Sequence, residues 1–213
     1  MLSKVGYGSW AIALHIYFCS ISAGVHADGL RVGFAEAPIT PEVVDEWVDV
    51  NDDAQFDPEI ETWSDGNGNG RFDPVWIAGF QKKRAAQGVK DDLMAVSVVI
   101  DDGNTRIGIV AVDTIGLMRK FVLDVRRSLP AEWGIDYLLV HATHNHEGPD
   151  TQGLWGPGLF SSGVNADYMM ELKLSILEAI ESAVKNLEPA KLSVARISTD
   201  PRTPIKDLSL IHI

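Results

Sequence analysis

The stretch Leu138-Leu-Val-His-Ala-Thr-His-Asn-His-Glu-Gly-Pro-Asp150 decides the fold and carries the densest chemistry in the chain. It opens on apolar residues at successive positions, which predicts a strand at 135–142 that is covered on both faces. Three histidines then follow within six residues, before the turn at Gly148-Pro149. Open α/β sheets keep their chemistry at the carboxyl ends of such strands, so a functional site is expected here.

Two of these histidines, His144 and His146, have the spacing of a metal-binding pair. In extended chain, residues i and i+2 share a face, with Cα atoms about 6–7 Å apart. Imidazoles so placed can bind one ion through bonds of about 2.0–2.1 Å, and zinc suits them where no thiol is near. The competing interpretation is a loop that merely precedes a turn, but the clustering of histidines favours the metal. Glu147 and Asp150 are close enough in sequence to orient a ligand or to act as a base.

The elements on either side of this stretch predict an α/β domain with a mixed sheet and covering helices. A strand at 106–113 precedes an amphipathic helix at 117–129, and the return to the strand at 135–142 implies a right-handed crossover and a parallel pair. The turn Asp101-Asp-Gly-Asn104 predicts a hairpin. Asp113, at the end of its strand, is either a metal ligand or the cap of the next helix. The remaining predicted elements are strands at 30–35, 93–100 and 191–197 and a helix at 166–187 capped by Asn165.

The segment from Glu42 to Asp65 contains ten acidic residues and no lysine or arginine. It opens an internal repeat, in which Asp49-x-Asn51-x-Asp53-x-x-Phe56-Asp57-Pro58 recurs as Asp65-x-Asn67-x-Asn69-Gly70-x-Phe72-Asp73-Pro74. Oxygen ligands at positions 1, 3, 5 and 9 are typical of a calcium loop, although both copies lack the glutamate at position 12. The repeat therefore predicts a structural calcium-loop insertion at about 45–76; the alternative is a solvated loop of Asx turns. The predicted calcium ligands are Asp49, Asn51, Asp53 and Asp57 in the first copy and Asp65, Asn67, Asn69 and Asp73 in the second.

Residues 1–27 resemble a secretory signal peptide. Lys4 precedes the apolar run Trp10–Ile21, and Val25-His26-Ala27 offers a small-residue cleavage site. The single cysteine, Cys19, lies inside this segment, so a mature chain from Asp28 would have none. The expected location is secreted or periplasmic, without disulfide bonds. A net charge of −12 argues against a nucleic-acid partner.

The glycine-rich segment Gly153–Phe160 is predicted to form a pocket rim with exposed apolar groups, a packed loop being the alternative. At the other end of the chain, Leu208–Ile213 begins a strand without a following turn. We therefore expect the sequence to be a fragment of a longer protein.

Thr143-His144-Asn145-His146-Glu147-Gly148-Pro149 resembles the Thr-His-x-His-Ser-Gly-Pro motif of the neutral/alkaline, non-lysosomal ceramidases. The order of neighbouring segments agrees, from the opening at Gly33–Pro41 through Val112-Asp113 to Asp200–Pro204. The resemblance covers residues 28–213 as the N-terminal portion of an incomplete ceramidase-like catalytic domain.

The resemblance implies a zinc-dependent amidohydrolase, in which zinc polarises the amide carbonyl of an N-acyl sphingoid lipid or a related amide and a water or serine attacks it. His144 or His146 would match the family's zinc-binding histidine. Where the family has a second one, in Gly-x-His-x-Arg-Leu, this chain has Lys90, with Asp91 as a substitute ligand. The predicted metal ligands are therefore His144, His146, Asp113 and Asp91.

The nucleophile is expected outside this chain, so the fragment is predicted to be inactive. Pro38 and Glu147 also replace the family's aspartate and serine. Two alternatives stay open: an exported, calcium-stabilised binding module and a ceramidase-like domain without catalysis. The expected partner is a small-molecule lipid or amide, and a contact with a membrane surface is left open.

Overall fold

A five-stranded mixed sheet covered by two helices forms the body of the protein. The computed structural model describes residues 24–25 and 29–193. The strands are β1 Gly24–Val25, β2 Arg31–Pro38, β3 Glu46–Trp47, β4 Trp63–Ser64, β5 Met94–Asp101, β6 Arg106–Val112, β7 Tyr137–Ala142, β8 Glu188–Pro189 and β9 Leu192–Ser193. The helices are α1 Arg119–Arg127 and α2 Ala166–Lys185, with a 3₁₀ turn at Ala131–Trp133. The main sheet has the order β7-β6-β5-β2-β8. The predicted fold class is confirmed.

The predicted hairpin joins β5 and β6, which pair antiparallel from Ala95↔Val112 to Asp101↔Arg106. Asp101 is buried at its base, where its Oδ2 accepts hydrogen bonds from the guanidinium groups of Arg31 and Arg106, both at 2.7 Å. Its Oδ1 accepts from the N–H of Gly103 at 2.8 Å. The bond to Arg106 is the main reason that the pKa of Asp101 lies below its ordinary value, and the Gly103 and Arg31 bonds add to it.

The crossover from β6 to β7 is also as predicted. The two strands are parallel in register from Ile107↔Tyr137 to Val112↔Ala142. Helix α1 is shorter than the predicted 117–129 because Met118 is extended and Ser128 already caps the C-terminus. The longer helix α2 ends at Lys185 rather than 187, and begins at Asn165, whose side chain accepts from the N–H groups of Asp167 and Tyr168. The predicted cap is therefore confirmed.

The core lies on one face of the sheet. Helix α2 crosses it closely, and a Cβ added at Gly33 would stand 1.8 Å from the carbonyl oxygen of Ala183. A methyl group there would force the helix away. The buried core residues alternate along the strands and recur on one side of each helix: Ala37, Ile39, Ala95, Val110, Val112, Val125, Leu138, Val140, Tyr168, Leu172, Ile176, Ala179 and Ile180.

The opposite face corrects one prediction. Tyr137 is 68% and Leu139 50% exposed on β7, and Phe34 is 54% exposed on β2. Since α1 and α2 contribute to a single core cluster on the other face, β7 is covered on one side only by the part of the chain that the structure describes. The expectation of a strand covered on both faces is wrong for these residues.

The remaining predictions concern the two ends of the chain. Of the predicted strand at 191–197, Leu192–Ser193 forms β9, which pairs antiparallel with β1, and residues 194–197 lie outside the described residues. The short strand β8 pairs with β2. Residues 194–213, with Asp200–Pro204 and Leu208–Ile213, lie outside the described residues, as does nearly all of the proposed signal segment. Among the described helices, none is long and apolar enough to cross a membrane.

Candidate functional site

His144 lies in the loop that leaves β7, in a conformation rare for a residue with a side chain. Its φ is +67°, in the left-handed region. Its N–H donates to Thr114 O at 3.0 Å, and its Nδ1 lies 2.8 Å from Ile115 O. A carbonyl can only accept, so Nδ1 carries the proton and the Nε2 lone pair stays available. This is the arrangement in which a histidine commonly binds a metal.

His146 lies beside it, with the two ring centroids 4.8 Å apart. The ring of Phe80 covers His146 edge-on at 5.1 Å, and a Cβ added at Gly79 would come within 2.6 Å of its Cγ. Both ring nitrogens of His146 are buried and find no hydrogen-bond partner among the described residues. An imidazole so placed has two unmet polar atoms, which a metal ion or a further polar group would satisfy. The third histidine of the stretch, His141, is exposed on β7.

The two carboxylates predicted beside the histidines have different positions. Asp113 joins two neighbouring strand ends, because its Oδ2 accepts from the N–H of Met94 at 3.0 Å and its Oδ1 from the hydroxyl of Thr143 at 3.0 Å. Asp91 is exposed in the segment before β5. Within the described residues, neither joins the histidine pair in a group of three ligands whose donor atoms lie within 4.8 Å of one another.

The acidic residues that follow the histidines are occupied by other contacts. Glu147 is 64% exposed and pairs with Arg84 at 2.7 Å. Asp150 is 1% exposed and accepts five backbone N–H groups. Its Oδ1 takes those of Gln152, Gly153 and Leu154, and its Oδ2 those of Trp155 and Gly163. Asp150 thus organises the loop 150–163, and Glu147 neutralises a cation.

The acidic repeat folds as a pair of matching loops. β3 and β4 pair antiparallel with Trp47 opposite Trp63, and one loop follows each strand. The two loops share backbone conformation, since φ is positive at Asp52 and Ala54 in the first and at Gly68 and Gly70 in the second. Phe56 and Phe72 stack between the loops with centroids 4.1 Å apart. The predicted insertion therefore has an aromatic core of its own: Trp47, Phe56, Trp63, Phe72, Trp76 and Ala85.

Each loop is closed by a buried acid from the other copy. The oxygens of Glu61, which is 5% exposed, accept from the N–H groups of Val50 and Asp57 in the first loop. The oxygens of Asp45, which is 1% exposed, accept from those of Gly66 and Asp73 in the second. Asp45 and Glu61 are sixteen residues apart, as are the other matching positions, so the repeat begins four residues earlier than the sequence analysis placed it.

The eight predicted calcium ligands all lie in the two loops, four in each. Asp49, Asp53 and Glu61 bring one oxygen each within 4.8 Å of one another, a group that could hold a metal ion. In the second loop, Asp73 accepts from the side-chain amides of Asn67 at 2.9 Å and Asn69 at 2.5 Å. These bonds, with the charge of Arg71, lower the pKa of Asp73. The remaining predicted ligands accept hydrogen bonds from backbone N–H groups of their own loops. Asn51 accepts from Asp53, and Asp57 accepts from Glu59. Asp65 accepts from Gly68, Asn69 and Gly70.

Solved structures share this architecture. A neutral ceramidase from Pseudomonas aeruginosa aligns with 76% of this chain at 20% identity and a TM-score of 0.53. A ceramidase complexed with C2 aligns with 76% at 21% identity and a TM-score of 0.51. The chain has a ceramidase-like fold. It spans only 22% of the length of either ceramidase chain. No protein-family model matches the sequence, and no curated protein matches it.

Within the ceramidase-like fold, the neighbours of His146 come from a segment that the sequence analysis did not single out. The hairpin-like stretch 76–86 brings Gly79 and Phe80 against the imidazole, and Arg84 donates to the carbonyl oxygen of His146 at 3.3 Å. This stretch precedes His146 by about sixty residues, so the contact cannot be predicted from the spacing of neighbouring residues. A glycine directly before an aromatic residue was the one signal available, since glycine allows close approach.

Proposed function

We propose that this chain is part of a zinc-dependent amidohydrolase that cleaves the amide of N-acyl sphingoid lipids or a related amide. The observation that carries the proposal is the pair His144–His146 beyond the end of β7, with both nitrogens of His146 buried and unpartnered in the described structure. Support comes from the ceramidase-like fold, since the two similar structures are both ceramidases.

The chemistry of the two histidines fits zinc, which when bound would act as a Lewis acid on the amide carbonyl. The chain's own residues prepare the donors. Ile115 O fixes the tautomer of His144, and Gly79 leaves room for the ring of His146 against Phe80. Asp113, directly after β6, joins the amino end of β5 at Met94 to Thr143, which directly precedes His144. The loop is thereby held before any ligand arrives.

The histidine pair is two donors of the three that a catalytic zinc site takes from a protein. Asp113 and Asp91 are the candidates for the third position, and either would have to move toward the pair. We therefore expect the 213-residue chain to bind zinc weakly and to turn over no substrate. Lys90 favours the second proposal for this site, a ceramidase-like domain without catalysis. This lysine is exposed, and it stands where the family that the chain resembles has a histidine.

The test is hydrolysis of a fluorogenic N-acyl sphingosine, with zinc present. The protein assayed is the longer one of which this chain is proposed to be part, purified from its host. We expect His144→Ala and His146→Ala each to lower the rate about a hundredfold or more, because loss even of a group that only orients a ligand costs about 10–100-fold. His141→Ala, which changes an exposed histidine of the same stretch, should leave the rate unchanged. Zinc-loaded protein that cleaves no N-acyl lipid would contradict the amidohydrolase and leave the non-catalytic domain.

The matched loops at 45–74 favour a second role, structural calcium binding in an exported protein. The oxygens of Asp49, Asp53 and Glu61 converge in the first loop, and Glu61 takes the part of the missing position-12 glutamate. In the second loop Asp45 accepts from the N–H groups of Gly66 and Asp73, as Glu61 accepts from those of Val50 and Asp57 in the first. Calcium would offset the mutual repulsion of these carboxylates.

Calcium is therefore expected to raise the melting temperature, with a dissociation constant on the order of 10⁻⁴–10⁻³ M, as in extracellular modules. Asp49→Ala combined with Asp65→Ala should abolish the rise, measured by differential scanning calorimetry with and without a chelator. Asp102→Ala, in the β5–β6 turn, is the matched control and should keep the full rise. A melting temperature that does not respond to millimolar calcium would leave the repeat as a pair of solvated loops.

A further inference from the structure

A set of exposed apolar side chains that the proposed chemistry does not use lies on the stretch 76–86 and on the loop 150–163, two segments that are hydrogen-bonded to each other. It consists of Phe80, which is 52% exposed, Leu154 (55%), Leu159 (77%) and Phe160 (98%), and is called here the apolar rim. Phe80 contacts the imidazole of His146, so the rim borders the candidate metal site. A phenylalanine that is almost wholly in water is unfavourable and points to an interaction surface.

The loop that carries the rim is held in place. Asp150 accepts hydrogen bonds from five of its backbone N–H groups, and the indole N–H of Trp155 donates to Phe80 O at 3.1 Å. Lys82 donates from its ammonium group to Leu154 O, and the N–H of Lys83 to Gly156 O at 3.1 Å. Because these bonds tie the loop to the stretch 76–86, the exposed side chains cannot simply fold back onto the protein.

The two segments that carry the rim have a charge opposite to that of the chain as a whole. Segments 77–87 and 151–163 contain three basic residues and no acidic one, in a chain of net charge −12. Of the three, Arg84 is paired with Glu147, which leaves Lys82 and Lys83 beside the loop. The acidic first repeat copy meets this stretch through the backbone, where the N–H of Phe56 donates to Lys83 O and the amide of Gln81 to Asp53 O.

We propose that the apolar rim inserts into the interface of an anionic phospholipid membrane. A protruding side chain that makes almost no contact with its own molecule suits a fluid lipid layer better than a rigid protein surface, which must supply a matching pocket. Lysines next to aromatic and aliphatic anchors suit the headgroup region, where anionic lipids attract them. Membrane binding itself does not depend on the proposed function. Only the purpose of that binding, which is to bring lipid to His146, rests on the proposed function.

The test is flotation of the 213-residue chain, in calcium-containing buffer, with vesicles of phosphatidylcholine containing about a quarter phosphatidylglycerol. The vesicles contain no N-acyl sphingoid lipid, so binding is measured apart from hydrolysis. We expect Leu159→Ser combined with Phe160→Ser to lower the partition coefficient about tenfold or more, since two exposed anchors are lost. Leu174→Ser, at a 57% exposed position on α2, is the matched control and should change it less than about twofold. A parallel set of variants that begins at Asp28 lacks the apolar run Trp10–Ile21, so that lipid binding by this run does not mask the effect of the rim.

A further variant tests the charges. Lys83→Gln should weaken binding to the anionic vesicles and leave binding to pure phosphatidylcholine unchanged, because Lys83 bonds the loop through its backbone N–H. Equal partition of the wild-type chain and the Leu159/Phe160 variant would overturn the proposal. So would a change of oligomeric state by that variant in the absence of lipid with partition unaltered, because the rim would then be a protein interface.

Discussion

Replacement of Asp150 by alanine is expected to lower the free energy of unfolding by about 3–5 kcal/mol, the largest loss of stability for any single carboxylate in the described structure. Asp150 is 1% exposed and its two oxygens accept five backbone N–H groups. Alanine leaves these donors without an acceptor, in a loop whose glycines offer no side chain to replace it. The backbone N–H groups of the loop 150–163 would then become exposed to water.

Asp150→Asn makes this prediction sharper. Asparagine has the same size, but its amide nitrogen would face N–H donors with a donor of its own, so most of the loss should persist. Asp91→Ala, at an exposed position, should change the free energy by no more than about 0.5 kcal/mol. Urea denaturation followed by tryptophan fluorescence measures all three, and a loss below about 1 kcal/mol for both Asp150 variants would show that water replaces the carboxylate readily.

The local parts of the fold could be predicted from sequence because their signals are local. The turn Asp101–Asn104 fixes the β5–β6 hairpin, and Asn165 caps α2 through its own neighbours two and three residues on. The exposure of Leu139 on β7 could not be predicted in the same way. An apolar residue on a strand is compatible with either face, and only the placement of α1 and α2 decides which face they cover.

The candidate sites show the same division. The i, i+2 spacing predicted, on the assumption of extended chain, that His144 and His146 share a face. Their rings do lie 4.8 Å apart, but the chain between them is not extended, because His144 has a left-handed φ of +67°. Their surroundings depend on Gly79 and Phe80, which reach the histidines through tertiary structure. In the repeat, the matching roles of Asp45 and Glu61 were missed because the two acids differ in length and because Asp45 serves the more distant loop, through residues 21 and 28 positions further along the chain.

The second large effect is expected on zinc affinity. His144→Ala and His146→Ala should each weaken zinc binding by about a hundredfold or to below detection, because either removes one of two imidazole donors and a single histidine holds zinc poorly. His141→Ala is the internal control, as it removes an imidazole from the same stretch.

The measurement is isothermal titration calorimetry of zinc into the wild-type chain and these three variants, in buffer containing calcium so that the acidic loops are occupied. The predicted result is one weak site per chain that both His144→Ala and His146→Ala abolish and that His141→Ala preserves. A zinc affinity that is the same in all four proteins would contradict the metal centre at His144 and His146, and with it the proposed amidohydrolase.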